Sequence, residues 1–498
     1  NIIIATPEKA KALFRASPGT YSDIKLIVID EGHLIGPNER LVKNEIFIDH
    51  LRVFAQANSA RILVLSAVLP NASELAEWIT GNPESAIVSS WKPSAERFGL
   101  LRWDGRRVLL EWRGQAECFN PQFVVAKPLG YGKRKLPFPN NKNEAIAATA
   151  VRLTSVGPVM IFSARANSVP GLAEASILAL GKEPLPHVWP EFEWNIFEAV
   201  CNEELEPDSI ELRAARLGIL CHSNRLPQQV RMSMEYLMRS FPPKIIIATT
   251  TLGQGVNIGI SSVIVSTPYI SSETICKRDF WNICGRAGRA FVDGEGKILY
   301  AIDEDFTSID AKKHLDIEKW RDIRRKKKWT VQKDIRLAND YFDASLPDRV
   351  ESGLLYAINL LRDFAQRVGV PFDQLIDLIA NNDFSPMAEK DVWFYYVFNL
   401  IDDELLALHE DILSDFDDDD AAAWIERVFM TSLAAIQAQK REKSSSPEDI
   451  IKFLKARVEY ILKTIPDKNM RKSIISSSLP LSAAIKMHND LEFFCSLA

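Results

Sequence analysis

Residues 26–33 read Leu-Ile-Val-Ile-Asp-Glu-Gly-His, and this stretch decides the class of fold. Four consecutive apolar residues, three of them β-branched, predict a short strand buried in a parallel sheet. The carboxylates of Asp30 and Glu31 follow at the carboxyl end of this strand, which is the edge where parallel sheets bind ligands. The stretch therefore predicts an α/β fold with an acidic pair at its functional edge.

The same arrangement recurs along the chain, where short apolar runs alternate with segments of helical spacing. These runs are residues 62–65, 159–162, 245–247, 263–265 and 298–301. Such alternation predicts α/β layers of strands and helices. Residues 98–112 instead predict a hairpin that turns at Asp104-Gly105. Beyond residue 306 the strand patterns cease, and helix starts such as Ser446-Pro447 predict an all-helical region.

We therefore predict a chain of four segments. They are the C-terminal part of a first α/β lobe (residues 1–90), a β-hairpin connector (91–140), a second α/β lobe (141–305) and a helical C-terminal domain (306–498). The first lobe is expected to lack its front end, because the chain opens on Asn1 without an initiator Met. A length of 498 residues suits about three domains.

Composition limits the classes of function. The net charge of −6 argues against a protein coated in basic surface, so nucleic-acid contacts would be confined to a local groove. The six cysteines form no Cys-x-x-Cys pair, which disfavours a zinc ribbon or a disulfide framework and fits a reducing compartment. No apolar stretch reaches the ~18 residues of a membrane span. We expect an intracellular protein, cytoplasmic if bacterial.

Two constellations have residue types suited to nucleoside triphosphate hydrolysis. This reaction needs a Mg²⁺ ion on carboxylate or hydroxyl oxygens, a group that positions water, and positive charge near the γ-phosphate. Asp30 and Glu31 supply the first two, and His33 is placed to link the two lobes. Arg286 and Arg289 supply the charge. The alternative is that the acidic pair only caps the next segment and that the arginines lie on a surface helix.

Five motifs in a fixed order resemble those of superfamily 2 DExH helicases, and within them the superkiller-like branch. The motifs are residues 3–9 (Ile-Ile-Ala-Thr-Pro-Glu-Lys), 30–33 (Asp-Glu-Gly-His), 65–71 (Leu-Ser-Ala-Val-Leu-Pro-Asn), 249–257 (Thr-Thr-Thr-Leu-Gly-Gln-Gly-Val-Asn) and 282–289 (Asn-Ile-Cys-Gly-Arg-Ala-Gly-Arg). The resemblance covers roughly residues 1–305. It implies two RecA-like lobes, ATP and Mg²⁺ as cofactors, and a single nucleic-acid strand as partner.

The resemblance also implies a role for each matching residue. Asp30 would bind Mg²⁺ and Glu31 would position water, while Arg286 and Arg289 would act as arginine fingers. The other implied roles are ATP contacts at Gly255, Asn257 and Asn282, nucleic-acid contacts at Thr6, Pro7, Ser163, Thr249 and Thr251, and coupling of hydrolysis to strand movement at Ser66, Ala67 and Val68.

Departures from the motifs define the alternatives. Val68 replaces a Thr, which removes a hydroxyl that helps to couple hydrolysis to unwinding, and Asn282 replaces a Gln. No Gly-x-x-x-x-Gly-Lys-Ser/Thr phosphate loop occurs in the sequence, so we expect these 498 residues alone to lack ATPase activity.

The leading hypothesis is an ATP-dependent helicase or translocase on one strand, with DNA slightly favoured over RNA. A protein partner could bind the helical domain. The alternatives are a non-catalytic scaffold that binds nucleic acid and a double-strand translocase that remodels without unwinding. Polarity and pathway stay open.

Overall fold

The computed structural model of the chain describes most of its length. The described residues are 2–16, 21, 23–66, 69–89, 94–114, 119–129, 136–181, 187–249, 258–270, 273–288, 293–314, 316–343, 349–381, 392–412, 421–441, 445–477 and 479–490. Contacts divide the chain into two compact units. The first unit is Asn1–Ser89 with Arg349–Ala498, and the second unit is Ser90–Asp348.

The N-terminal part of the first unit contains a small parallel sheet with helices around it. Its elements are α1 (Pro7–Ala16), β1 (Leu26–Ile29), α2 (Glu39–Ala57), β2 (Arg61–Val64), α3 (Ala72–Thr80) and a 3-10 turn at Pro83–Ser85. β1 and β2 pair in parallel, with Ile29 opposite Val64. The predicted burial of these strands is wrong, because Leu26 is 57% exposed and Leu63 is 47% exposed. Ile29, at the end of β1, packs against the apolar core of this part.

The second unit is built on an eight-stranded sheet. Its strands are β3 (Ala95–Trp103), β4 (Arg107–Trp112), β5 (Phe119–Val125), β6 (Val159–Ser163), β7 (Ile219–His222), β8 (Ile245–Ala248), β9 (Ser262–Thr267) and β12 (Glu295–Asp303), and a two-stranded ribbon is formed by β10 (Tyr269–Ile270) and β11 (Glu273–Thr274). The order is β5-β4-β3-β12-β9-β6-β8-β7, with parallel pairing from β3 to β7. Its helices are α4 (Lys142–Leu153), α5 (Val169–Leu180), α6 (Glu191–Glu204), α7 (Ile210–Ala215), α8 (Gln228–Ser240), α9 (Lys277–Cys284), α10 (Thr307–Asp310) and α11 (Ile317–Phe342).

The predicted hairpin of residues 98–112 is confirmed. β3 and β4 are antiparallel, with Trp103 opposite Val108. Gly105 has a φ of +92° in the turn, and the Asp104 carboxylate accepts from the amides of Arg106 and Arg107. β3 also pairs in parallel with β12 along its whole length, so the segment predicted as a connector extends the sheet of the second unit.

The C-terminal region is helical, as predicted, within its described residues. Its helices are α12 (Gly353–Val368), α13 (Phe372–Ala380), α14 (Val392–Ile412), α15 (Ala421–Phe429), α16 (Leu433–Gln439), α17 (Pro447–Thr464), α18 (Lys468–Ser477) and α19 (Leu481–Asn489). They pack with residues 1–89, whereas α10 and α11 belong to the second unit, so the contacts do not follow the four predicted segments. In the described part of the chain, we find no helix with the length and apolarity of a membrane span. The mixed α/β class with a helical C-terminal region is thus confirmed.

A buried carboxylate joins the two stretches of the first unit. Glu45 of α2 is fully buried. Its Oε1 accepts from Ser352 Oγ at 2.5 Å, and its Oε2 accepts from the amides of Gly353 at 2.8 Å and Leu354 at 3.3 Å. Glu45 therefore occupies the N-terminus of α12, where backbone amides lack intrahelical partners. Burial raises the pKa of Glu45 to about 7.

The raised pKa of Glu45 predicts a pH-dependent stability. Between its unfolded value near 4.5 and about 7, the folded state keeps a proton that the unfolded state has lost. The contribution of Glu45 is therefore complete below about 4.5 and is lost as the pH rises to about 7, with a slope of at most about 1.4 kcal/mol per pH unit. We expect Glu45→Gln to flatten this slope in urea unfolding.

The control is Glu84→Gln, because Glu84 is an exposed glutamate in the first unit. This control should keep the wild-type slope. Equal slopes in the wild type and in Glu45→Gln would contradict the prediction.

Candidate functional site

The acidic pair after β1 lies on a sharp turn. Asp30 is exposed, and its Oδ1 accepts from the Glu31 amide at 2.9 Å. Glu31 has a φ of +53°, a left-handed conformation that costs free energy for a residue with a side chain. The next amide, of Gly32, donates to the Leu65 carbonyl at 2.8 Å. Two hydrogen bonds therefore hold Glu31 in its strained conformation.

Gly32 brings the turn into close contact with β2. A Cβ atom at this position would lie 2.1 Å from Cγ1 of Val64 and 3.5 Å from the Leu65 carbonyl oxygen. Only glycine therefore lets the chain pass here without displacing β2. Sequence reasoning missed the contribution of Val64 and Leu65, because the contact depends on the register between β1 and β2.

His33 connects the acidic pair to the segment after β2. Its side chain is buried, and its Nδ1 lies 2.9 Å from Ser66 Oγ and 3.3 Å from Glu31 Oε2. The Glu31 side chain is 38% exposed. The structure thus brings together three predicted site residues and gives Glu31 access to solvent. The predicted link from His33 to the second lobe stays a prediction.

The turn offers one exposed carboxylate, which suits a Mg²⁺ ion whose other ligands are phosphate oxygens and waters. Mg²⁺ usually takes one or two protein carboxylates and completes its octahedron with phosphate oxygens and waters. Asp30 offers an exposed carboxylate of this kind. Over the described ranges, no cluster of three or more His, Cys, Asp or Glu side chains could hold a metal ion by itself.

Thr6 and Pro7 form the start of α1 in the first unit. Thr6 is exposed, and its Oγ1 accepts from the Lys9 amide at 3.3 Å. Pro7 is the first residue of the helix, where its missing N–H costs nothing. Exposure is compatible with the nucleic-acid contact predicted for Thr6, which stays a prediction.

In the second unit, the predicted arginine motif follows α9. Asn282 lies on α9 and Arg286 just beyond its end, and both are half-buried. Gly288 has a φ of +90°, and its amide donates to the Ile260 carbonyl at 2.8 Å. A Cβ atom on Gly288 would lie 2.3 Å from Ser94 Oγ. The turn after Arg286 is therefore fixed against the start of β9.

Ser163 and Thr249 lie beside each other at the carboxyl ends of β6 and β8. The register pairs Phe162 with Ala248, the residues just before them. Ser163 is fully buried, and its hydroxyl bonds to the backbone of Arg165 at 3.1 and 3.3 Å. Thr249 is buried and its amide donates to the His222 carbonyl. Their predicted contacts with a strand stay predictions.

Some predicted residues fall outside the described part of the chain. They are Ala67, Val68, Thr251, Gly255, Asn257 and Arg289. Phe280 and Trp281, the two aromatic residues just before the arginine motif, are both buried. Phe280 stacks on Tyr341 with ring centroids 4.5 Å apart.

Comparison with known proteins supports the motif assignment. Residues 1–75 match the DEAD/DEAH box helicase family. The chain is 37% identical to Hachiman protein HamB of Bacillus cereus, over 99% of this chain and 43% of that protein. It is 28% identical to the ATP-dependent DNA helicase Hel308 of Pyrococcus horikoshii, over 62% of this chain and 39% of that protein. The chain thus spans less than half the length of these relatives. The resemblance to DExH helicases is confirmed, and the superkiller-like branch stays a prediction.

The contact between Gly32 and Val64 predicts a mutational coupling. Gly32→Ala should destabilise the protein by about 1–3 kcal/mol, because the added methyl overlaps Val64. Val64→Ala removes the overlapping atom, so the double variant should cost clearly less than the sum of the two single variants. The measurement is a double-mutant cycle by urea unfolding.

Gly171→Ala is the matched control, because a Cβ atom at Gly171 meets nothing within 4 Å. It should leave stability unchanged or slightly raised. Strict additivity of Gly32→Ala and Val64→Ala would show that the two residues do not press on each other.

Proposed function

We propose that the chain forms part of an ATP-dependent DNA helicase or translocase that grips a single strand. The observation that carries the proposal is the turn of Asp30, Glu31 and His33 with its contact to Ser66. This turn follows a parallel strand inside the segment that matches the DEAD/DEAH box helicase family. It brings together the exposed carboxylate of Asp30, the carboxylate of Glu31 on a strained backbone, and the buried imidazole of His33.

Each group of the turn has a proposed task. Asp30 would hold Mg²⁺, which neutralises charge on the β- and γ-phosphate oxygens when bound. The Glu31 carboxylate would orient the attacking water and accept its proton. His33 bonds to Ser66, so a shift of Glu31 during hydrolysis would reach the segment of Ser66, Ala67 and Val68. This path would couple nucleotide state to grip on the strand.

The second unit would complete the reaction. We assign Arg286 and Arg289 to the charge that develops on the γ-phosphate, because guanidinium groups bind phosphate oxygens with two donors. The other proposed contacts are with ATP at Gly255, Asn257 and Asn282, and with the strand backbone at Thr6, Pro7, Ser163, Thr249 and Thr251. Contacts to the backbone hold a strand without reading its sequence.

The phosphate loop needed for this reaction is absent from the sequence. We propose that chain outside these 498 residues supplies it. Two observations support this. The relatives are more than twice as long as the part matched here, and one face of the β1–β2 sheet exposes Leu26, Val28 and Leu63. Parallel sheets are normally covered on both faces.

DNA is the proposed nucleic acid because several relatives are named ATP-dependent DNA helicases. Translocation on duplex without unwinding is the second candidate, and the ribbon of the second unit favours it. β10 and β11 have two residues each, which makes a short wedge for parting strands. An unwinding assay on tailed duplexes beside a protein-displacement assay separates the two activities.

Glu31→Gln in the complete protein should preserve ATP binding and reduce turnover by roughly 10²–10⁴-fold, since the amide cannot accept the proton of water. The measurement is steady-state ATPase activity with single-stranded DNA, with RNA and without nucleic acid, beside equilibrium binding of ATP. Glu84→Gln, an exposed change in the same unit, is the control. Full turnover by Glu31→Gln would remove Glu31 from the proposed role.

The 498 residues alone should show no ATP hydrolysis, because no backbone cradle or lysine for the β- and γ-phosphates is present in their sequence. The measurement compares phosphate release by this piece and by the complete protein. If the 498-residue piece hydrolyses ATP, and if Glu31→Gln abolishes that hydrolysis, the whole ATPase site lies within these residues and the prediction is contradicted.

A further inference from the structure

The surface in question is the outer face of α11, the long helix that follows the sheet of the second unit. Trp329 is 63% exposed, although it lies in the middle of a 26-residue helix. Residues three, four and seven positions away share its side of the helix. On this side lie four exposed cations, Arg325, Lys326, Lys333 and Arg336, together with the exposed Asp322 and Gln332. We call these four cations with Trp329 the outer face.

The helix is held firmly by its opposite side. Val331, Ala338 and Tyr341 are buried. The Tyr341 hydroxyl donates to the Ile275 carbonyl at 2.6 Å, and its ring stacks on Phe280 of α9. The apolar side of α11 is therefore already packed, and the exposure of Trp329 follows from the rotation that this packing imposes.

The helix also divides the basic run of residues 324–328. Arg324 pairs with Asp310 at 2.9 Å and Lys327 pairs with Asp303 at 2.6 Å. These two cations therefore form ion pairs with aspartates that precede α11. Arg325 lies 3.8 Å from Asp322, but both side chains are more than two-thirds exposed. An exposed pair of this kind contributes little. Positive charge on the outer face thus stays available to a ligand.

A groove continues the outer face toward the β10–β11 ribbon. It has a volume of about 670 Å³ and is lined by Glu273, Thr274, Lys333, Arg336, Leu337 and Asp340. Lys333 lies over the rings of Trp329 and Tyr269, with Nζ 5.7 and 5.1 Å from their centroids. Asp340, the aspartate at this end of the face, pairs with Lys277 at 2.9 Å.

We propose that the outer face binds a single nucleic-acid strand, with phosphates on Arg325, Lys326 and Arg336 and one base stacked on Trp329. The inference rests on the proposed function and adds a strand-binding site to it. Four cations along about 16 Å of helix suit a polyanion of regular spacing. An exposed indole suits an unpaired base, whose face is free, whereas bases in a duplex are already stacked. A membrane would need an apolar face, and that side of α11 is buried.

The test is equilibrium binding of a fluorescent single-stranded oligonucleotide to the complete protein without ATP, over a series of salt concentrations. Trp329→Ala should weaken binding about 5- to 100-fold with little change in salt dependence, and Trp329→Phe should recover most of the loss. In the triple variant Arg325→Ala/Lys326→Ala/Arg336→Ala, the negative slope of log K against log salt should become less steep by about 2. Each lost phosphate contact reduces the steepness by about 0.7.

Phe192→Ala and Arg239→Ala are the matched controls, because both residues are exposed on other helices of the second unit. They should bind like the wild type. Wild-type affinity and slope in the Trp329 and triple variants would overturn this inference and leave the proposed function standing. A wild-type protein that binds no oligonucleotide would overturn both. The same variants are also tested for binding to anionic phospholipid vesicles. If they lose vesicle binding that the wild type shows, while their affinity for the oligonucleotide is unchanged, the outer face is a membrane surface and the inference is overturned.

Discussion

The hydrogen bond from the Gly32 amide to the Leu65 carbonyl continues the pairing of β1 and β2 beyond the strands, and the candidate site depends on it. This bond draws the chain against Val64, where only glycine fits. The same constraint forces Glu31 into the left-handed region. Strain of this kind persists only where the surroundings fix the backbone. The geometry of the acidic turn is therefore a consequence of strand register rather than of the acidic residues themselves.

The strands and the hairpin at Asp104-Gly105 can be predicted from the local sequence, because the periodicity of apolar side chains and the choice of turn residues are local signals. Long-range pairing was not predicted. The sequence predicts β3 as part of a connector, yet β3 pairs with β12 about 200 positions later. Glu45 and Ser352 are 307 positions apart. Neither residue carries a local sign of its partner, since a buried carboxylate and a helix cap are each common alone.

The candidate site shows the same division between chemistry and placement. Ordered motifs identified the residue types, and the match to DEAD/DEAH box helicases agrees with them. They could not show that the Ser163 hydroxyl bonds to the backbone of Arg165, or that Leu26 and Val28 are exposed in a strand of apolar sequence. Burial depends on what covers a sheet, and the residues of the strand do not encode that. Motifs predict chemistry, whereas hydrogen-bond partners require coordinates.

The charged residues of this chain indicate a binding surface only when the side of the helix on which each one lies is known. By composition the protein is acidic, and a run of five basic residues suggests a solvated surface. In α11 the run separates into inward cations paired with Asp303 and Asp310 and outward cations around Trp329. The acidic surface elsewhere repels a polyanion, so a polyanion is directed to the small positive face. Local concentration of charge therefore matters more for recognising a strand than the net charge of −6.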